Sequence, residues 1–157
     1  MLDRGRSGGA GDLPGMAAVA ATYVLFLLWA QFGLVALLRE RLAAPGAVQA
    51  AMAAMGAAGL GVSLATGAFL ARRRAPAPSH SLVALGLTAA GLTALAALAC
   101  RSAAGFAAVA AATGAATAFT TVSLAAGLRT LIRGPRFGLA VGGATGTAYL
   151  VCNVPAV

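Results

Sequence analysis

Any chemistry in this chain would have to come from very few side chains. Asp3, Asp12 and Glu40 are its only acids, His80 its only histidine, and Cys100 and Cys152 its only thiols. General acid–base and nucleophilic catalysis need an activating group within hydrogen-bond reach of the group it acts on, and no two of the acids lie at a short spacing. One histidine and two distant cysteines do not supply an ordinary metal site. Gly142-Gly143-Ala144-Thr145-Gly146 has the glycine content of a phosphate loop, but it has no lysine and no strand before it. These residues predict no enzymatic activity, no catalytic site, no metal and no cofactor.

The remaining polar residues are embedded in apolar sequence. Trp29 and Gln31 lie in one run, Thr113, Thr117, Thr120, Thr121 and Ser123 gather in a later one, and Thr145, Thr147, Tyr149 and Asn153 lie in the last. A threonine hydroxyl can donate to a carbonyl of its own helix, which makes self-satisfied packing the plain expectation for the threonines. The amides of Gln31 and Asn153 have no such simple outlet. Gln31, Asn153, Thr117 and Thr121 are the candidates for a substrate path. No Asp, Glu, Lys, Arg or His lies deep in an apolar run, and such residues are the usual mark of proton relays. A proton-coupled machine complete within this chain is therefore not expected.

The elements that carry these residues follow from composition. The chain has 157 residues, 61% hydrophobic and only 9% charged, with mean hydropathy +0.91. A soluble domain carries roughly 25% charged residues. Crossing the hydrocarbon takes about 20 apolar residues in a helix. Five runs meet that length: about 16–38, 48–71, 81–99, 104–128 and 137–157. Polar outward stripes, which a soluble bundle needs, are missing. The reading is an all-α, polytopic membrane protein with five transmembrane helices behind a disordered tail at 1–15. Pro45-Gly46 and Gly134-Pro135 are read as breakers between spans, and Cys100-Arg101-Ser102 as a tight hairpin.

The net charge of +8 is not a nucleic-acid footprint, because long stretches between the arginines carry no charge. It reads as topology. Five spans place Arg4, Arg6, Arg72, Arg73, Arg74, Arg129, Arg133 and Arg136 on one side, and Arg39, Arg41 and Arg101 on the other. Loops rich in Arg stay cytoplasmic. The expectation is a bacterial inner-membrane protein with a cytoplasmic N-terminus and a periplasmic C-terminus. Both cysteines then fall towards the oxidising side, where a disulfide is physically conceivable. Helix association in lipid depends on close backbone approach. Gly138, Gly142 and Gly146, four apart, are the candidate helix-packing face of the fifth span.

The loop pattern resembles the N-terminal half of a major facilitator superfamily transporter, over nearly the whole chain. That family carries G-x-x-x-D-R/K-x-G-R/K-R/K between helices two and three. Here Gly67 and Arg72 match, followed by Arg73 and Arg74, while Ala71 stands at the aspartate and Arg74 at the second glycine. Arg133-Gly134 matches the loop after helix four. The resemblance implies a transporter of an unidentified small solute, apparently truncated after its fifth helix. Its natural partners are the lipid bilayer and the second half of a transporter. The alternative is a non-transporting small membrane subunit that packs against a partner membrane protein.

Overall fold

Alanine, leucine, valine and glycine runs without interior proline make helices here, because in apolar surroundings each N–H and C=O must be paired within its own segment. A computed structural model of the protein describes residues 13–42, 44–72, 79–132 and 137–153. Every element among them is helical: α1 (Leu13–Arg41), α2 (Pro45–Arg72), α3 (Ser79–Ala99), α4 (Ala103–Leu131) and α5 (Phe137–Asn153). Most of the stretch read as a tail, the end of the fifth run, and the loops 73–78 and 133–136 lie outside the described residues.

Four of these helices are long and apolar enough to cross a membrane. The fifth, α5, is described over 17 residues, just short of the roughly 20 that span a bilayer. The distribution of side chains is that of a lipid-facing bundle. Leu60, Leu64, Leu85, Leu92, Leu95 and Leu139 are each at least 60% exposed, while Thr22, Thr66, Thr113, Thr117, Thr120 and Ser123 are buried. In water such an outer surface would be one continuous aggregation-prone patch. The chain is a multi-pass membrane protein.

Two boundaries differ from the sequence reading. Pro45-Gly46 opens α2 and does not sit in the connection before it. Proline at the first helical position gives up no hydrogen bond and has its φ already set. At the other end of the bundle, α4 runs past Leu128 to Leu131, so Arg129 belongs to the helix and not to the loop. The Ile132 N–H donates to the Leu128 carbonyl at 3.0 Å and closes that end.

Between α3 and α4 the chain reverses over three residues. Ser102 is extended (φ −111°, ψ 150°), and its Oγ accepts from the Gly105 N–H at 3.1 Å. This is an N-cap, and it satisfies one of the first unpaired donors of α4. Ser102→Ala is expected to lower thermal stability in detergent by about 1 kcal/mol, and Ser102→Asp to retain it; equal midpoints for the alanine variant and the parent would remove the cap from this account.

The middle of α1 is unusual. Leu25–Gly33 is wound as a π-helix, with the Leu34 N–H donating to the carbonyl of Trp29, five residues back. The buried residues of α1 beyond Thr22 are Ala30, Leu34 and Leu38, spaced by eight and then four. On an α-helix of 3.6 residues per turn, each step of four drifts about 40° around the axis. The wider π turns absorb part of that drift and keep both ends of α1 turned towards the bundle.

Helix α4 is the hub. About 39% of its most apolar stretch is buried, against 6% for α2. Its most extensive contacts are with α2 and α3, α1 lies across it, and α5 packs on the first half of α1. One core joins Leu34, Leu38, Ala51, Ala97, Phe106 and Ala110, and a second joins Val19, Val83, Leu124, Ile132 and Ala144. The close approaches are made by glycines. A Cβ at Gly114 would overlap the Met55 carbonyl of α2, one at Gly59 would stand 3.3 Å from the Gly114 carbonyl oxygen, and one at Gly86 of α3 would overlap Thr120 Oγ1. The pairs Met55–Gly114 and Gly59–Ala118 ascend together along both chains, so α2 and α4 run parallel with small residues at the crossing. The face chosen from sequence is not one of these. Gly142 and Gly146 meet no neighbour within 4 Å of a would-be Cβ, because α5 turns Ala144 and Ala148 inward and leaves those glycines outside. The side of Gly138 lies outside the described side chains.

Candidate functional site

Because α1 lies across the face of α4, a groove forms on each side of it. The first, of about 280 Å³, lies between α1, α2 and α4 and is lined by Phe26, Ala30, Gly59, Ser63, Thr117 and Thr121, among others. The second, of about 330 Å³, lies between α1, α4 and α5, with Val19, Tyr23, Thr121, Leu124, Leu128 and Val141 in its wall. Phe26 and Thr121 line both grooves and form the partition between them.

The local sequence explains why space remains there. Gly59, Gly114 and Ala118 bring the α2 and α4 backbones together but fill little volume beside the contact. The π segment of α1 places Phe26 and Ala30, four apart, along the groove it shares with α2 and α4. Glycine on one wall and an aromatic ring on the other leave a slot that no side chain closes.

The threonine hydroxyls in the grooves have their protons committed, whereas, among the described residues, those of Ser63 and Tyr23 do not. Thr117 Oγ1 donates to the Thr113 carbonyl at 2.7 Å, Thr121 Oγ1 to the Thr117 carbonyl at 2.9 Å, and Thr22 Oγ1 to the Ala18 carbonyl at 2.8 Å. A hydroxyl so engaged still offers a lone pair. Towards a ligand these residues act as acceptors only. No Asp, Glu, Lys, Arg or His is among the residues lining either groove. Thr113 departs from the self-satisfied pattern, since its hydroxyl crosses to Thr93 Oγ1 of α3 at 3.1 Å, and Thr93 donates on to the Ala90 carbonyl at 2.8 Å. Trp29 Nε1 and Ser123 Oγ are buried with no hydrogen-bond partner.

The structure brings together Thr117 and Thr121 of the four substrate-path candidates, on one wall of the first groove. Gln31 is exposed on the π segment and is not in the wall of either groove. Asn153 ends α5, with its side chain outside those described. Ser63 and Phe26 were missed as site residues. The signal for Ser63 was its place four residues after Gly59, on the same face of α2. Of the cytoplasmic-loop residues, Gly67 has open space where a Cβ would stand and Arg72 is exposed at the end of α2. Arg73, Arg74, Arg133 and Gly134 lie outside the described residues. Cys100 is a free thiol, and the side chain of Cys152 is outside those described. Comparison with known protein families, characterised proteins and solved structures finds no match for this chain.

Proposed function

We propose that the chain is one helical body of a membrane transporter for a small uncharged solute, with the groove between α1, α2 and α4 as its part of the path. The observation that carries this reading is the meeting of Ser63, Thr117 and Thr121 at that groove, in a bundle whose outer surface is leucine. Thr117 and Thr121 offer only acceptor lone pairs, while Ser63 can also donate, a set that suits a solute with hydroxyl groups. The lack of any lining charge suits one without net charge, because an ion would enter unpaired at a cost of several kcal/mol. A path needs a second wall, and the side of the groove away from α4 has none among the described residues. The second body is therefore another membrane-spanning unit, in line with the resemblance to the major facilitator superfamily seen in the loop residues.

Cysteine labelling in native membranes tests the reading. On a background without Cys100 and Cys152, Thr117→Cys and Ser63→Cys are expected to react with a small membrane-impermeant thiol reagent, because a solute path admits water. Ala96→Cys, on the outer face of α3, is expected to stay unreacted. Protection of both groove positions would end the proposal. The same panel reads orientation: Arg101→Cys labels from outside intact cells, and Pro76→Cys only after permeabilisation.

A second reading is favoured by one observation, the open glycine face at Gly142 and Gly146. Here the chain is a non-transporting subunit that seats a partner helix on α5. A stable hetero-complex in mild detergent, with the groove positions protected, would select this reading over the first.

A further inference from the structure

Gln31 sits where a lipid-facing helix has least use for it. It is exposed on the π segment of α1 and lines neither groove. Arg39, the next charged residue along α1, stands eight residues on, about 12 Å along the axis at 1.5 Å per residue. Leu13, where α1 begins, is farther away still. The amide therefore lies at the depth of the hydrocarbon, which is about 30 Å thick, and its side chain is too short to reach either interface. The surface around it is apolar: Phe26, Leu28 and Phe32 are exposed on the same segment.

A carboxamide carries two N–H donors and an acceptor oxygen. That of Gln31 has no hydrogen-bond partner among the described residues. Lipid tails supply none, and an amide left unpaired in hydrocarbon is costly. Interhelical hydrogen bonds are the usual outlet for such a side chain in a bilayer.

Two features select a second copy of this chain as the partner. All copies share one membrane orientation, set by their charged loops, so a two-fold axis relating two of them runs along the membrane normal. Such an axis brings each residue level with itself. A carboxamide is also its own complement, because Nε2 of each can donate to Oε1 of the other and the two bonds close the pair. A partner of other sequence would need a polar group at this one depth.

We propose that two copies pair through α1, side by side and parallel, with their Gln31 amides hydrogen-bonded across the two-fold axis and Leu28 and Phe32 packed beside them. The inference rests on membrane residence and not on transport. Thiol reactivity at Ser63→Cys and Thr117→Cys reports on a groove that Gln31 does not line, so the two results can fail separately.

The test uses the full chain in liposomes. Copies carrying a donor or an acceptor dye at the amino terminus are mixed, and energy transfer is followed as added lipid dilutes the protein. Transfer is expected to follow a monomer–dimer curve. Gln31→Leu moves its midpoint to about tenfold more protein per lipid, the scale of two interhelical side-chain hydrogen bonds in a bilayer. Gln31→Asn keeps most of the association, since it keeps the donor and the acceptor. Gln31→Met serves in place of leucine if that variant does not fold. Disulfide trapping reads the face. On the background without Cys100 and Cys152, Val35→Cys, four residues after Gln31, is expected to cross-link under a mild oxidant. Leu95→Cys, exposed on α3 near the same end of the bundle, is expected not to. Association unchanged by the apolar variants, or equal cross-linking at the two positions, overturns the proposal. So does a parent that stays monomeric across the dilution series, which would assign the amide to a partner of other sequence.

Discussion

Gly114→Ala is expected to destabilise the bundle by about 3 kcal/mol, the upper part of the range for overpacking a filled core. The added methyl would overlap the Met55 carbonyl oxygen and stand 2.8 Å from its carbon. Those are backbone atoms, held by the hydrogen bonds of α2, so no side-chain rotation relieves the contact. The two helices must separate, and in lipid separation forfeits the dispersion contacts that hold a small-residue crossing together. Two other glycines calibrate the effect. At Gly59 a Cβ would meet the Gly114 carbonyl oxygen at 3.3 Å, a contact that a shift of a few tenths of an ångström relieves, and at Gly61 it would meet nothing within 4 Å. The expected order of thermal midpoints in detergent is therefore parent and Gly61→Ala together, Gly59→Ala lower, and Gly114→Ala lowest. Alanine even removes glycine's entropic penalty of about 0.5–1 kcal/mol at an open helical position. A Gly114→Ala protein as stable as Gly61→Ala would mean that α2 and α4 do not cross at this residue.

That ranking marks where the sequence stopped being informative. The runs are legible because length and unbroken hydropathy alone decide helix formation in a bilayer; the ends of α1 to α4 lie within about three residues of the runs read from sequence, and the end of the fifth run lies outside the described residues. The rotation of each helix about its axis is a different matter. A soluble helix advertises its buried face by polarity, whereas α2 and α3 are apolar on both faces, with leucines such as Leu60, Leu64, Leu85 and Leu92 outward and Ala51, Thr66, Val83 and Ala90 inward. Gly138, Gly142 and Gly146 form the most regular glycine stripe in the chain, yet Gly142 and Gly146 face away from the bundle. Gly86, with no stripe around it, is one of the tightest contacts. Spacing shows that a smooth face exists and says nothing about what lies opposite it.

The candidate site was half legible for the same reason. Thr117 and Thr121 are four apart on α4, and a shared face follows from that spacing. The partnership with Ser63 depends on the packing of α2 on α4, and that with Phe26 on the π segment of α1. Nothing in Leu25–Gly33 announces that winding; no proline interrupts it. Gln31 illustrates the consequence. Counted as a buried amide in a straight span it was a site candidate, but on the π segment it is exposed and outside both grooves.

The second large effect is expected where α3 meets α4, and its form is a coupling rather than a simple loss. Gly86→Ala would place a methyl on Thr120 Oγ1, 3.0 Å from Thr120 Cβ and 3.1 Å from its Cα. Thr120 cannot turn aside freely. It is fully buried, and its hydroxyl donates to the Ala116 carbonyl at 2.7 Å; rotating it away would strand a buried hydroxyl, at about 1–3 kcal/mol. Gly86→Ala alone is thus expected to destabilise by about 2 kcal/mol. Thr120→Ala alone costs about 1 kcal/mol, because a satisfied, self-bonded hydroxyl contributes little net. Combined, the two changes remove the worst overlap and leave contacts that a small shift relieves. The double variant should lose about 1–2 kcal/mol and not the additive ~3, a favourable coupling of about 1–2 kcal/mol, as residues in direct contact show. The cycle also reaches the groove. On α4 Thr117 and Thr121 flank Thr120, so separation of α3 from α4 displaces the wall that carries the proposed path, and Thr117→Cys reactivity should fall in Gly86→Ala and return in the double variant. Strict additivity of the two stabilities would detach α3 from this wall and leave α4 positioned by α1 and α2 alone.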